Sequence, residues 1–252
     1  ANALIAHNNS RLGKNLWTTA DQGELVRVLA AESDRTEAEF VAQTLKQAGV
    51  NWQNCAVLYR TNAQSRALEH ALFQAGIPYR VYGGLRFFER QEIKHALAYL
   101  RLALHPQDDH ALLRVINVPT RGIGAKTLAQ LQQQAQTQQQ SLWHTLIHTP
   151  ATGRAANGLR QLVQTLQACQ QAATQLPLAQ SVAKIIELSG LAALYQQDPN
   201  EQERWQNLQE LVSAAGLFVQ EEGQSISEFL AHAALEAGEN TTHSGDCVSL
   251  MT

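Results

Sequence analysis

Strand-forming patterns occur only at the two ends of this sequence, and residues 89–243 between them carry helical periodicity alone. Few folds satisfy that arrangement. Toward the N-terminus, Leu25-Val26-Arg27-Val28-Leu29-Ala30 predicts a short strand. Residues 33–49 predict a helix, with Thr36 and Glu39 at capping-box spacing and Gly49 as the stop. Cys55-Ala56-Val57-Leu58-Tyr59 is a continuous apolar run, as in a strand buried on both faces. Asn62 opens a helix through Ala75, ended by Gly76 and Pro78, and Tyr79-Arg80-Val81-Tyr82 is a further strand closed by Gly83 and Gly84. Strand and helix in alternation imply a parallel α/β sheet.

Past Glu89 the apolar spacing predicts helices at about 89–104, 108–117, 125–139, 141–148, 153–175, 178–196, 199–219 and 225–237. Glycines and prolines punctuate the connections. Glutamine crowds positions 130–175, where it suits solvated helix faces. At the end, Cys247 to Met251 returns to a strand pattern. The expected fold class is therefore mixed and mainly α: an α/β part over residues 1–88, a helical insert over 89–243, and a returning strand over 244–252.

The charge distribution sharpens the reading. A net charge of −3 conceals +1 over residues 1–109, +6 over the acid-free window 110–186, and −10 over 187–252. Such asymmetry points to a polyanion contact on one part of the chain. No apolar run is long enough to cross a bilayer, and no basic start followed by an apolar stretch marks a signal peptide. Cys55, Cys169 and Cys247 are scattered, which excludes CxxC-type zinc motifs and a disulfide framework and suits the cytoplasm. The chain starts at Ala1 without Met and stops in an apolar run, so it is expected to be a piece of a longer protein.

Three segments carry candidate chemistry. In residues 118–128, a helix, a Gly122-Ile123-Gly124 turn and a second helix form a helix–hairpin–helix pattern. Its glycines permit close approach of a phosphate, the second helix presents amides, and Arg121, Lys126 and Thr127 add charge and hydrogen bonds. An ordinary turn between helices is the plainer alternative. In residues 58–66, Arg60, Asn62, Gln64 and Ser65 cluster where a strand ends and a helix begins, the place open α/β sheets put ligands. Helix capping by Asn62 with a surface ion pair competes with that reading. In residues 82–94, Gly83 and Gly84 mark a hinge, followed by Arg86, Phe87, Phe88, Arg90 and Lys94. The aromatics either stack on a nucleic acid strand or pack a domain junction while Arg86 pairs with Glu89.

No phosphate loop, HExxH, GxSxG or clustered carboxylates are present, so no catalytic or metal site is expected. His144 and His148 share a helix face, but no third ligand lies nearby in sequence.

The runs at 56–102 and 116–128, with HAALEAGE at 232–239 and VSLMT at the end, closely resemble the UvrD/PcrA/Rep group of superfamily 1 DNA helicases. The resemblance implies part of a RecA-like motor domain (2A) interrupted by the helical 2B insert. It implies contacts to single-stranded DNA at Arg60 and Asn62 and to duplex DNA at Gly122, Ile123 and Gly124, with Lys126 and Thr127 adjacent. Residues 83–94 look like the junction motif. It further implies an ATP- and Mg²⁺-dependent 3′–5′ helicase serving DNA repair, with DNA and repair proteins as partners and no membrane. The ATP and Mg²⁺ motifs would precede Ala1, so this piece is expected to be inactive alone. The rival expectation is a helical protein-interaction or autoinhibitory module.

Overall fold

The returning strand lands in the middle of the sheet, not at its edge. The computed structural model describes residues 2–7, 15, 17–19, 23–148, 155–221, 223–238 and 245–252. Strand β1 (Ala56–Leu58), strand β2 (Tyr79–Tyr82) and strand β3 (Val248–Met251) form a parallel sheet of order β1-β3-β2. Val57 and Val81 both pair with Leu250. A segment that begins the sheet, leaves it for a long helical excursion and closes it from the centre is what the end-loaded strand pattern requires.

By internal contacts the chain divides into Ala1–Ala31 and Glu32–Thr252. The first unit contains the short helix α1 (Asn2–Ile5). The strand expected at residues 25–30 is absent, and Leu25, Val26 and Val28 are exposed. A strand needs a ladder partner for its backbone groups, and the described residues of this unit supply none.

In the second unit, helix α2 (Asp34–Gln47) starts at Ser33, whose hydroxyl accepts from the Thr36 amide at 3.1 Å. The expected Thr36/Glu39 box is not formed; Glu39 pairs with Arg35 at 2.7 Å instead. Helix α3 (Asn62–Gln74) begins in a capping box of Thr61 and Gln64, so the cap is one residue earlier than Asn62. Strand β1 is an edge strand, and its burial on two faces does not hold: Leu58 is 73% exposed. One hydrophobic core joins α2, α3 and the strands through Ala38, Leu72, Ile77, Val248 and Leu250.

A second core starts at Phe87 and Phe88. It gathers helices α4 (Gln91–Leu104), α5 (Asp109–Val115), α6 (Ala125–Gln138), α7 (Leu142–His148), α8 (Ala156–Gln175), α9 (Leu178–Leu188), α10 (Leu191–Gln196), α11 (Gln202–Glu221) and α12 (Ile226–Gly238). The single helix expected over 178–196 is broken at Gly190, which has φ +83°. Gln132, Gln133, Gln134 and Gln136 are exposed, as the solvated-face reading expects.

Polar contacts span the gap between the cores. Arg90 donates to Ser65 Oγ at 2.6 Å and to Asn207 Oδ1 at 2.9 Å, and lies 3.8 Å from Glu69. Asn207 in turn donates to Glu92 at 2.6 Å. Arg66 pairs with Glu210 at 3.4 Å. Polar joints of this kind tolerate relative motion better than apolar ones.

His95 is buried on α4. Its Nδ1 has no hydrogen-bond partner among the described residues. Burial, then Arg114 and Arg204, push its imidazole below the ordinary range. The unfolded chain therefore takes up the proton first as pH falls. The stability contributed by the neutral ring is complete above about pH 6.5 and is lost as pH drops toward the folded value. We expect His95→Gln to lose less stability than wild type between about pH 7.5 and about pH 5.5, measured by urea unfolding at each pH.

Candidate nucleic-acid interface

Between α5 and α6 the chain turns tightly, and the turn is held by side chains the sequence did not single out. Asn117 Oδ1 accepts from the Arg121 amide at 2.7 Å and from the Ile123 amide at 3.4 Å. Asparagine suits this place because its carbonyl can bond backbone amides a few residues on. Tyr99 donates its hydroxyl proton to Val118 O at 2.6 Å and accepts from Arg121 Nη2 at 2.7 Å. Burial pushes that hydroxyl up to about 12, with Arg121 pulling the other way.

Arg121 has a different role from that of a free phosphate ligand. Its guanidinium donates to the carbonyls of Val115, Pro119 and Ser189 at 3.1, 3.2 and 3.2 Å, besides Tyr99. It ties the turn to α5 and to the end of α9. Gly158 on α8 seats the same turn, since a Cβ there would collide with the Arg121 carbonyl. Ile123 is a buried anchor, and its amide is already engaged.

What remains outward is compact. Gly122 is exposed at φ +70°, a conformation that side chains other than glycine rarely adopt. Exposed Gly124 opens α6 with no side-chain cap, and the first turn holds no acidic residue. The first helical bond is Leu128 N to Gly124 O. The amides of Ala125, Lys126 and Thr127 precede it and have no intrahelical acceptor. Lys126 is exposed with no ion-pair partner among the described residues, and Thr127 is half-buried. Uncapped amides at the positive end of a helix, beside a free ammonium, can hold a phosphate.

The second segment divides. Arg60 is exposed and makes no ion pair among the described residues. Gln64 is exposed, but its Oε1 accepts from the Arg60 and Thr61 amides at 3.0 and 3.1 Å. Ser65 is fully buried, donating to Glu69 at 2.7 Å and accepting from Arg90. The expectation for the Asn62 side chain lies outside the described residues. A cavity of about 410 Å³ between α2, β1 and α3 carries Asp34, Glu37 and Glu210 against Arg60. Three carboxylates against one guanidinium make this cavity a poor seat for a triphosphate.

In the third segment, Gly83, Gly84 and Lys94 are exposed. Phe87 and Phe88 are buried and meet edge to face at 5.0 Å, packing the junction instead of offering faces to bases. Arg86 pairs with Glu89 at 3.2 Å, and Arg90 is buried in the polar joint.

His144 and His148 stack on each other at 3.9 Å on α7. Sequence reasoning missed His70, His232 and Glu236, which meet between α3 and α12. His232 and Glu236 at helical spacing were a visible signal; His70, far away in sequence, was not. Burial alone would raise the Glu236 carboxyl, but hydrogen bonds from His232 and His70 outweigh it and bring it down to about 2.

A mostly helical chain with a small parallel sheet fits the UvrD-like helicase C-terminal domain, and the profile of that domain matches residues 1–252; the chain belongs to this family. DNA helicase II of Escherichia coli (strain K12) is 45% identical over all of this chain and 37% of its own length. DNA helicase II of Haemophilus influenzae is 44% identical with the same coverage. The ATP-dependent DNA helicase PcrA of Bacillus subtilis is 32% identical over the whole chain and 36% of its own length. The chain thus spans little more than a third of these relatives. Among the described residues, no helix is long and apolar enough to cross a membrane.

Proposed function

We propose that this chain is the DNA-gripping part of an ATP-dependent 3′–5′ DNA helicase that acts in DNA repair in the cytoplasm. Residues 1–88 and 244–252 are read as part of motor domain 2A, and residues 89–243 as the 2B insert. The GIG turn, acting as a helix–hairpin–helix, holds duplex phosphates through Gly122, Gly124, Lys126, Thr127 and the first amides of α6. Ile123, Arg121 and Asn117 keep it in shape. Arg60 meets the single strand, and the joint around Gly83, Gly84 and Arg90 lets the insert move against the motor. ATP and Mg²⁺ belong to the remainder of the protein, so no ATP step is assigned to these residues.

The observation that carries this reading is the uncapped, acid-free start of α6 beside the unpaired Lys126. Its test is a titration with a forked DNA, one arm duplex and one single-stranded, at low and high salt. Binding at low salt that weakens steeply with added salt is expected, because phosphate contacts release counterions. An absence of binding at low salt would favour the rival protein-interaction module.

A further inference from the structure

Away from the GIG turn, a His–Glu–His cluster joins α12 to α3. His232 and Glu236 lie four residues apart on α12, and His70 reaches them from α3. Glu236 Oε1 stands 2.7 Å from His70 Nδ1 and 2.7 Å from His232 Nε2. The three donor atoms all lie within 4.8 Å of one another. Phe73 and Phe218 pack against the His232 ring, which gives the cluster an apolar wall. A cavity of about 10 Å³, lined by His70, His232, Phe218 and Arg66 among others, adjoins it. That is about the space of one water molecule.

Two imidazole nitrogens and one carboxylate oxygen form the donor set of a tetrahedral divalent cation with one position left for water. Such a set favours zinc over magnesium or calcium, which prefer oxygen donors. Metal bonds of about 2.0–2.2 Å at a tetrahedral angle place the nitrogens roughly 3.3 Å from the oxygen. The two nitrogen–oxygen contacts need to open by about half an ångström to reach that spacing, and the two nitrogens, which lie within 4.8 Å of each other, must come to the same spacing. Each imidazole would carry its proton on the nitrogen facing away from the metal, so binding needs a tautomer exchange and no redox step. Arg66 is the unfavourable charge nearby, but it is paired with Glu210 at 3.4 Å.

We propose that His70, His232 and Glu236 form a site for a zinc-type divalent cation that staples α12 to α3. A loaded site would hold the helical block to the α/β part at a second point besides the Arg90 network, and so would restrict the motion that the Gly83-Gly84 joint permits. The inference does not depend on DNA binding, so either can fail alone.

The test uses the untagged chain, stripped with chelator and titrated with Co²⁺, then with Zn²⁺ in competition. Expected are the absorption bands of tetrahedral Co²⁺, displacement by one equivalent of Zn²⁺, and a higher thermal midpoint with metal. His70→Ala and His232→Ala should each weaken binding at least tenfold, while His144→Ala leaves it unchanged. The wild-type titration decides even where a variant misfolds: no stoichiometric binding of either ion overturns the proposal. Binding that survives both His70→Ala and His232→Ala in folded protein also overturns it, leaving the cluster a hydrogen-bonded clasp.

Discussion

Arg90→Ala is expected to destabilise the chain by about 3–5 kcal/mol, the cost of leaving a buried charge network without one partner. Arg90 is 7% exposed and Glu69 is 3% exposed, so water cannot replace the missing guanidinium. Asn207 Oδ1 and the Ser65 hydroxyl lose a donor at the same time. Burial already raises the Glu69 carboxyl, against the Phe87 amide, Ser65 and Arg90, which pull it down. Without Arg90 its folded pKa rises further. The deficit of the variant should therefore be largest at high pH and should shrink as pH falls and Glu69 takes up a proton. Adding Glu69→Gln to Arg90→Ala should recover part of the deficit, because the two residues share one network. Urea unfolding of wild type, both single variants and the double variant measures this. Additive effects would show that Arg90 and Glu69 act independently.

Arg121→Ala is expected to cost about 2–3 kcal/mol, since the partners of one guanidinium are left without their donor inside the fold. Tyr99, Val115, Pro119 and Ser189 are all deprived of it. Arg121→Lys should restore little, because an ammonium lacks the planar fork that reaches several acceptors together. Lys126→Ala, at an exposed position, should change stability by no more than about 0.5 kcal/mol. Unfolding curves separate the two positions. An Arg121→Ala variant as stable as wild type would mean that the guanidinium does not hold the turn.

Most of the fold was legible because helices and strands leave local marks. The helices from Gln91 onward stand close to where apolar spacing and the Gly/Pro breaks place them, and β3 follows from Val248-Ser249-Leu250-Met251. What was illegible depends on partners distant in sequence. Leu25 to Ala30 has strand composition, but composition does not supply a ladder partner. Cys55 to Tyr59 looks like a central strand, yet β1 is at the edge, because it pairs with β3 on one side and with no described strand on the other. At the candidate site, a loop arginine beside two glycines reads equally well as a phosphate ligand or an internal tie. Only the carbonyls of Val115, Pro119 and Ser189 distinguish these, and Ser189 lies on a different helix end. Ser65 and Gln64 likewise look available in sequence, and their partners Glu69, Arg90 and the Arg60 amide show otherwise.

Within the +6 window over residues 110–186, Lys126 faces solvent beside the start of α6. Duplex binding by wild type and Lys126→Ala, measured across a range of salt concentrations, tests the central claim most directly. Expected are an unchanged unfolding midpoint, weaker binding, and a log–log salt slope smaller by roughly 0.9, because one phosphate is no longer neutralised. A Lys126→Ala variant with wild-type affinity and an unchanged slope would contradict it.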